Sequence, residues 1–249
     1  MQKEFSIKGY KNLLEIAIKK RYSFSFFDEI KTMNNEKFCF FRHDIDADLD
    51  AARNIALVEK EYGVKSTYFV MTRSTIYNLF GRYNHRCVED ILKAGHQLAL
   101  HYDEGFYPSN NNNLQELVET EAYFLYKMFG QKITTVSFHQ PSSRVLSNEI
   151  KLNGFINTYD KFDMAGIYYI SDSNMVWKNK TAWDLFESED EAKIQLLTHP
   201  MWWMGSGKEN TEVLWDKALL GNMNRTLKQV FDIEGAFGKQ GVIELKRKE

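Results

Sequence analysis

Asp44 and Asp46 lie two residues apart in the run Phe-Arg-His-Asp-Ile-Asp, and His101 and Asp103 repeat that spacing. His139, Asp172 and His199 each stand at the end of a short apolar stretch. In an extended segment residues i and i+2 share a face. Asp44 and Asp46 therefore point one way and His43 the other, while His101 and Asp103 point together. Carboxylates and several imidazoles gathered at one rim suit a divalent cation with an open coordination position. Zinc fits such a set, with iron, nickel or cobalt as alternatives. A cation of this kind lowers the pKa of bound water, and a nearby carboxylate that does not ligate it can act as the base.

These side chains meet only if the elements beneath them converge. Lys8–Lys20 carries Leu13, Leu14, Ile16 and Ala17 at helical spacing. The aromatic run Lys37–Asp44 is short enough for a buried strand. Helix over Asp48–Tyr62 stopped by Gly63, strand over Lys65–Met71, helix over Val88–Ala94 stopped by Gly95, and strand over Gln97–His101 follow. Leu114–Phe129 reads as a long helix closed by Gly130, preceded by a solvated loop at Asn110–Asn113. Ile133–Phe138, Ile167–Ile170 and Ile194–Leu197 read as strands, and Thr211–Phe231 as a final helix. Strands alternating with helices indicate parallel βαβ units. The expected fold is α/β, a distorted (β/α)7-type barrel in a single domain spanning 1–249. Residues 1–36 form a helical lead-in, and 204–249 a C-terminal helix and tail. In such a barrel the chemistry sits at the carboxyl ends of the strands. Five candidate strands do end in an imidazole or a carboxylate: Asp44–Asp46, His101–Asp103, His139, Asp172 and His199.

Other polar residues have plainer roles. Asp48 stands where a helix N-cap belongs. His43 faces away from the rim, His96 lies at the wrong end of its strand, and His85 falls in a polar turn open to solvent. Cys39 alternates with aromatics and reads as a packed thiol.

In order, these segments resemble the motifs of the polysaccharide deacetylases, the NodB-like carbohydrate esterases. Phe41-Arg-His-Asp-Ile-Asp46 is similar to their first motif, Gly95-His-Gln-Leu-Ala-Leu-His101 to the second, and Leu196-Leu-Thr-His199 to the last. Ser137–Ser142 and Tyr169–Ser173 occupy the places of the intervening motifs. The resemblance runs from about Tyr10 to Trp203 and is nearest to the WbmS-like branch of O-antigen and surface-polysaccharide gene clusters. It implies a metal-dependent N-deacetylase. Asp44 would be the catalytic base, Asp46 and His101 metal ligands, and His199 the general acid. Asp172 would orient that imidazole. Two departures stand out. Ile45 separates aspartates that are adjacent in the family, and Gly105 occupies the place of the second metal histidine. The third ligand is then His139, or else Asp103. Tyr102, Phe106, Tyr107, Trp202 and Trp203 are candidates to stack on a sugar.

Composition narrows the classes. With 32 Lys+Arg against 34 Asp+Glu in 249 residues, the net charge of −2 leaves no basic stripe for nucleic acid. The 18 Phe, 13 Tyr and 5 Trp exclude a disordered chain, and two cysteines exclude a disulfide scaffold. No run reaches the ~18 apolar residues of a membrane span, and no apolar export segment opens the chain. The expectation is a cytoplasmic protein without membrane insertion. Its partner would be an N-acylated sugar, nucleotide- or lipid-linked, in surface-polysaccharide or O-antigen biosynthesis. A small non-sugar amide is an alternative substrate. A degenerate member that binds a glycan or nucleotide-sugar without cleaving it is the non-enzymatic alternative.

Overall fold

A computed structural model describes residues 3–33, 36–107 and 113–233. Its strands are β1 (Ser23–Phe24), β2 (Phe38–Ile45), β3 (Ser66–Val70), β4 (Gln97–Asp103), β5 (Thr135–His139), β6 (Ile156–Asn157), β7 (Tyr168–Ser171) and β8 (Lys193–Thr198). Its helices are α1 (Ile7–Lys19), α2 (Leu49–Glu61), α3 (Arg82–Lys93), α4 (Leu114–Phe129), α5 (Ser143–Leu146), α6 (Ala182–Ser188) and α7 (Thr211–Ile233). The sheet order is β6-β5-β4-β3-β2-β8-β7, and β1 adds to the start of β2. Every pairing is parallel. The sheet is therefore a half-closed (β/α)7 barrel with β6 and β7 as its two edges. Parallel strands need crossover connections, and the helices supply them while covering the outer face. Among the described residues no helix is long and apolar enough to cross a membrane.

The alternation of β2 organises the interior. All eight of its residues are buried. Phe38 and Phe40 point into the barrel and pack with Phe27, Phe69 and Ala99, closed off by Ile156, Met164 and Ile167. This apolar floor lies under Arg42, whose guanidinium sits 5.4 Å from the Phe69 ring. Cys39, Phe41 and Ile45 point outward into the larger core between sheet and helices. Removing one such buried ring costs about 3–5 kcal/mol.

A second polar group lies on that outward side, sealed between β2 and α2. Glu59 of α2 has no exposed surface. Its Oε1 accepts hydrogen bonds from Tyr10 (2.6 Å), His43 Nε2 (2.8 Å) and Ser66 (2.7 Å), and its Oε2 one from Tyr68 (2.5 Å). His43 Nδ1 meets Thr198 Oγ1 at 2.7 Å, joining β2 to β8. Burial pushes the Glu59 carboxyl up, but His43 and the other donors outweigh it and hold it at about 2. His96 belongs to the same layer, with Nε2 bonded to the Ala56 carbonyl at 2.9 Å.

The helix boundaries follow local chemistry. Asp48 caps α2 by accepting from the amides of Asp50 and Ala51. Gly130 ends α4 in the left-handed region at φ 73°, where a side chain would be strained. Some elements differ from the sequence-based expectation. α3 begins at Arg82, six residues before Val88, because its first turns present polar side chains that carry no apolar period. His85 is therefore helical and stacks on Phe129 at 4.7 Å, not in a solvated turn. β1, β6, α5 and α6 are too short for a periodicity to reveal. Most of the predicted Asn110–Asn113 loop and the tail beyond Ile233 lie outside the described residues.

Candidate functional site

A cleft of about 650 Å³ opens at the carboxyl ends of the strands, with Asp44, Asp46, His101, Asp103, His139 and His199 in its wall. Asp44 leaves the sheet from β2, and Asp46 follows the end of that strand on the same face. His101 comes from β4 and His139 is the last residue of β5. His199 follows β8, and Asp172 follows β7.

Ligand atoms of Asp46, His101 and His139 all lie within 4.8 Å of one another. Asp46 Oδ1 is 3.2 Å from His101 Nε2 and 3.5 Å from His139 Nδ1. That oxygen is buried and has no hydrogen-bond partner among the described residues. A buried carboxylate oxygen without a partner is costly, and a cation would satisfy it. Two imidazoles with one carboxylate are also a donor set that holds zinc or iron. His101 presents Nε2 because its Nδ1 is engaged by Ser137 Oγ at 2.6 Å. A divalent cation fits these residues. Burial would raise the Asp46 carboxyl, but the imidazoles of His101 and His139 beside it hold it well below the ordinary range. The Asp46 interaction in turn raises His139.

Asp44 lies beside this group and is gripped from below. Arg42 Nε donates to its Oδ1 at 2.8 Å and Nη2 to its Oδ2 at 2.7 Å, with both side chains buried. Arg42 is held in turn by Thr158 Oγ1 and Tyr159 OH, each at 3.0 Å. A planar fork on both carboxylate oxygens fixes position as well as charge. Burial pushes Asp44 up, and Arg42 with the neighbouring imidazoles overrides it, so Asp44 lies below the ordinary carboxylate value. Ser137 Oγ also reaches toward Asp44 Oδ1 at 3.5 Å, linking it to His101.

His199 faces the cleft from the other side, its Nε2 3.7 Å from Asp46 Oδ2. Its Nδ1 donates to Asp172 Oδ1 at 2.7 Å. Asp172 is fully buried and also accepts from the His199 amide (3.0 Å) and from Trp203 Nε1 (3.0 Å). Burial works against a charged imidazole here, but the Asp172 bond outweighs it and raises His199 to about 9.

The remaining sequence candidates are placed differently. Asp103 is not in the metal-competent group; it caps the next turn by accepting from the Gly105 amide at 2.9 Å. Tyr102 and Trp203 cannot stack on a ligand. Tyr102 is buried on the outer face of β4 against Phe138, and Trp203 is fully buried with its indole N–H on Asp172. Phe106 and Tyr107 are not in the cleft wall; they flank Arg73, whose guanidinium lies 4.5 Å from the Phe106 ring. Trp202 does line the cleft, joined by Trp215, Tyr159 and Tyr169. Arg42 and Ser137 are residues that sequence reasoning passed over. The alternation that paired Asp44 with Asp46 also puts Arg42 on that face, and it pairs Ser137 with His139.

No protein-family model matches the chain, and no curated protein matches it in sequence. The chain is similar to a family 4 carbohydrate esterase from Bacillus anthracis, at 16% identity and a TM-score of 0.44, over 92% of this chain and 95% of that one. It is similar to a Streptococcus mutans CE4 esterase at 15% identity and a TM-score of 0.45, over 85% and 89% of the two chains. A CE4 family pseudoenzyme from Bacillus anthracis aligns at 11% identity and a TM-score of 0.42, over 79% of this chain. The match spans 62% of that longer chain, under two thirds of its length.

Proposed function

We propose that the chain is a metal-dependent N-deacetylase acting on an N-acylated sugar in surface-polysaccharide or O-antigen assembly. The carrying observation is the unpartnered Asp46 Oδ1, set among His101 and His139 and flanked by Asp44 and His199 in one cleft. Asp46, His101 and His139 would hold the cation. A divalent ion bound there supplies Lewis acidity, making water nucleophilic near neutral pH and drawing charge from the acyl oxygen. Asp44, fixed by Arg42, accepts the proton of the attacking water. His199 carries a proton on Nε2 and passes it to the nitrogen as the carbon–nitrogen bond breaks. Asp172 keeps Nδ1 protonated and holds the ring, the division of labour seen in other carboxylate–imidazole pairs. Trp202, Tyr159 and Tyr169 offer flat apolar faces of the sort that pack on sugar rings.

The test is a panel of nucleotide-linked N-acyl sugars, with small linear and cyclic amides alongside. Released acid and free amine are both quantified. Stoichiometric release from an N-acyl sugar, abolished by chelator, is expected. Asp44→Asn should lower turnover by about 10²–10⁴-fold while metal content stays at the wild-type level. No release from any sugar by metal-loaded protein would overturn the reading, and release from the simple amides alone would move it to the smaller substrates.

A further inference from the structure

The cleft wall carries two cations that the proposed hydrolysis does not use, Arg73 in the loop after β3 and Lys178 in the segment after β7. They lie on either side of β2 and β8 in the sheet order.

Arg73 is built into place. Its Nε donates to Glu121 Oε1 at 3.1 Å, and Glu121 is nearly buried on α4. The same carboxylate accepts from Tyr107 OH at 2.7 Å and from Thr72 Oγ1. The guanidinium lies 4.5 Å from the Phe106 ring and 5.4 Å from the Tyr107 ring. The side chain is 39% exposed and lines the cleft, with Glu121 and Tyr107 as its polar neighbours. A guanidinium anchored at one edge and backed by aromatic rings presents its remaining edge as a ready fork for an oxyanion.

The rest of the loop is equally prepared. Tyr77 OH accepts from the Met71 amide and donates to the Ile45 carbonyl, each at 2.9 Å, which ties the loop to the end of β2. Ser74 Oγ accepts from the amides of Ile76 (3.1 Å) and Tyr77 (3.2 Å). Its lone pairs are therefore taken and its hydroxyl hydrogen is free to donate. Ser74 and Thr75 both line the cleft next to Arg73. Lys178 is exposed and forms no ion pair among the described residues. Of the three carboxylates in the wall, Asp44 is neutralised by Arg42, Asp46 belongs to the metal-competent group, and Asp103 caps the turn at Gly105.

From this arrangement we infer that the cleft has an anion subsite, formed by Arg73, Ser74, Thr75 and Lys178, and that the sugar it receives carries an oxyanion. A phosphate ester, as in a sugar linked through phosphate to its carrier, and a sugar carboxylate share this chemistry. The sugar in this statement rests on the deacetylase reading; the anion does not.

Calorimetry on chelator-treated full-length protein tests it, with inorganic pyrophosphate, uridine diphosphate and glucuronate as probes. The Asp46→Ala variant provides a second background in which the metal group is broken. Binding in the sub-millimolar range is expected in both backgrounds. Arg73→Ala and Lys178→Ala should each weaken it at least tenfold, and Arg73→Lys less than Arg73→Ala. The probe that binds tightest identifies the source of the charge. Lys178 is exposed, so its removal tests the subsite without risk to folding. Binding of every probe weaker than 10 mM, or affinities within twofold of wild type in both alanine variants, would overturn the subsite. A failure of deacetylation with anion binding intact would overturn the hydrolase reading alone.

Discussion

The two faces of β2 carry similar residue types to opposite ends. Its inner face holds Arg42 and Asp44, with Asp46 just beyond, against His101 and His139. Its outer face holds His43 against Glu59. The outer group is closed: Glu59 receives four hydrogen bonds within 2.8 Å and touches no solvent. The inner group is open: Asp46 Oδ1 has no hydrogen-bond partner among the described residues, and the wall around it faces a cleft. A satisfied buried carboxylate holds elements together, whereas an unsatisfied one beside a cavity is a place for something else to bind. Burial does not separate the two, because Asp44 and His101 are as buried as His43. Access to the cleft does: Asp46 stands in its wall and Glu59 does not.

That contrast breaks first under Glu59→Ala. Removing the carboxylate strands His43, Tyr10, Tyr68 and Ser66, and a loss of about 3–5 kcal/mol is expected in urea denaturation. Asp46→Ala in the metal-free protein should cost less, about 1–2 kcal/mol, since it removes the attraction of the neighbouring imidazoles but strands no buried hydrogen-bond donors. Equal losses for the two would remove the distinction. Acid unfolding sharpens it next. The Glu59 carboxyl drops from an ordinary 4.5 to about 2 on folding. The unfolded chain therefore binds the extra proton in that interval. The stabilisation is complete above pH 4.5 and is lost as pH falls toward 2, in total about 3 kcal/mol. Glu59→Gln should flatten this stretch of the stability–pH curve, and an unaltered slope would count against the ionised hub.

The inner face yields smaller effects read through metal. Wild-type protein should take up one equivalent of zinc, and Asp46→Ala should lose at least about a hundredfold in affinity, near 2.7 kcal/mol. Ser137→Ala, which leaves the ligands in place and removes only the partner of His101 Nδ1, should lose about tenfold. Competition with a chromogenic chelator measures both. If Ser137→Ala matched wild type, the hydroxyl would have no part in orienting His101.

Much of this was open to reading before any coordinates. The order of long helices and strands followed from periodicity, and α4 came out residue for residue because Gly130 stops it and its apolar face is regular. Residue parity placed Asp44 and Asp46 on one face and His43 on the other. What the sequence could not convey were contacts between distant segments. The Arg42 clamp depends on Thr158 and Tyr159, more than a hundred residues away. Glu59 looked like one more charge on an amphipathic helix, and only its meeting with β2, β3 and α1 makes it a hub. Tyr102 and Trp203 depart from the sequence-based expectation for a related reason. Aromatics beside strand ends look available to a ligand, but Tyr102 has the wrong parity and Trp203 is folded back onto Asp172. The short elements α5 and α6 lacked the length for a period to register.

The strict alternation along β2 also limits how this chain can vary. Deleting or inserting one residue between Phe41 and Asp46 would rotate everything beyond it by half a turn. His43 and Ile45 would then face the cavity, and Asp44 would be driven into the apolar layer under α2. Length changes in loops remote from the strand shift nothing of the kind. Variants that keep the Asp-x-Asp pair of this chain should therefore keep the spacing of that hexapeptide even where its other residue types drift.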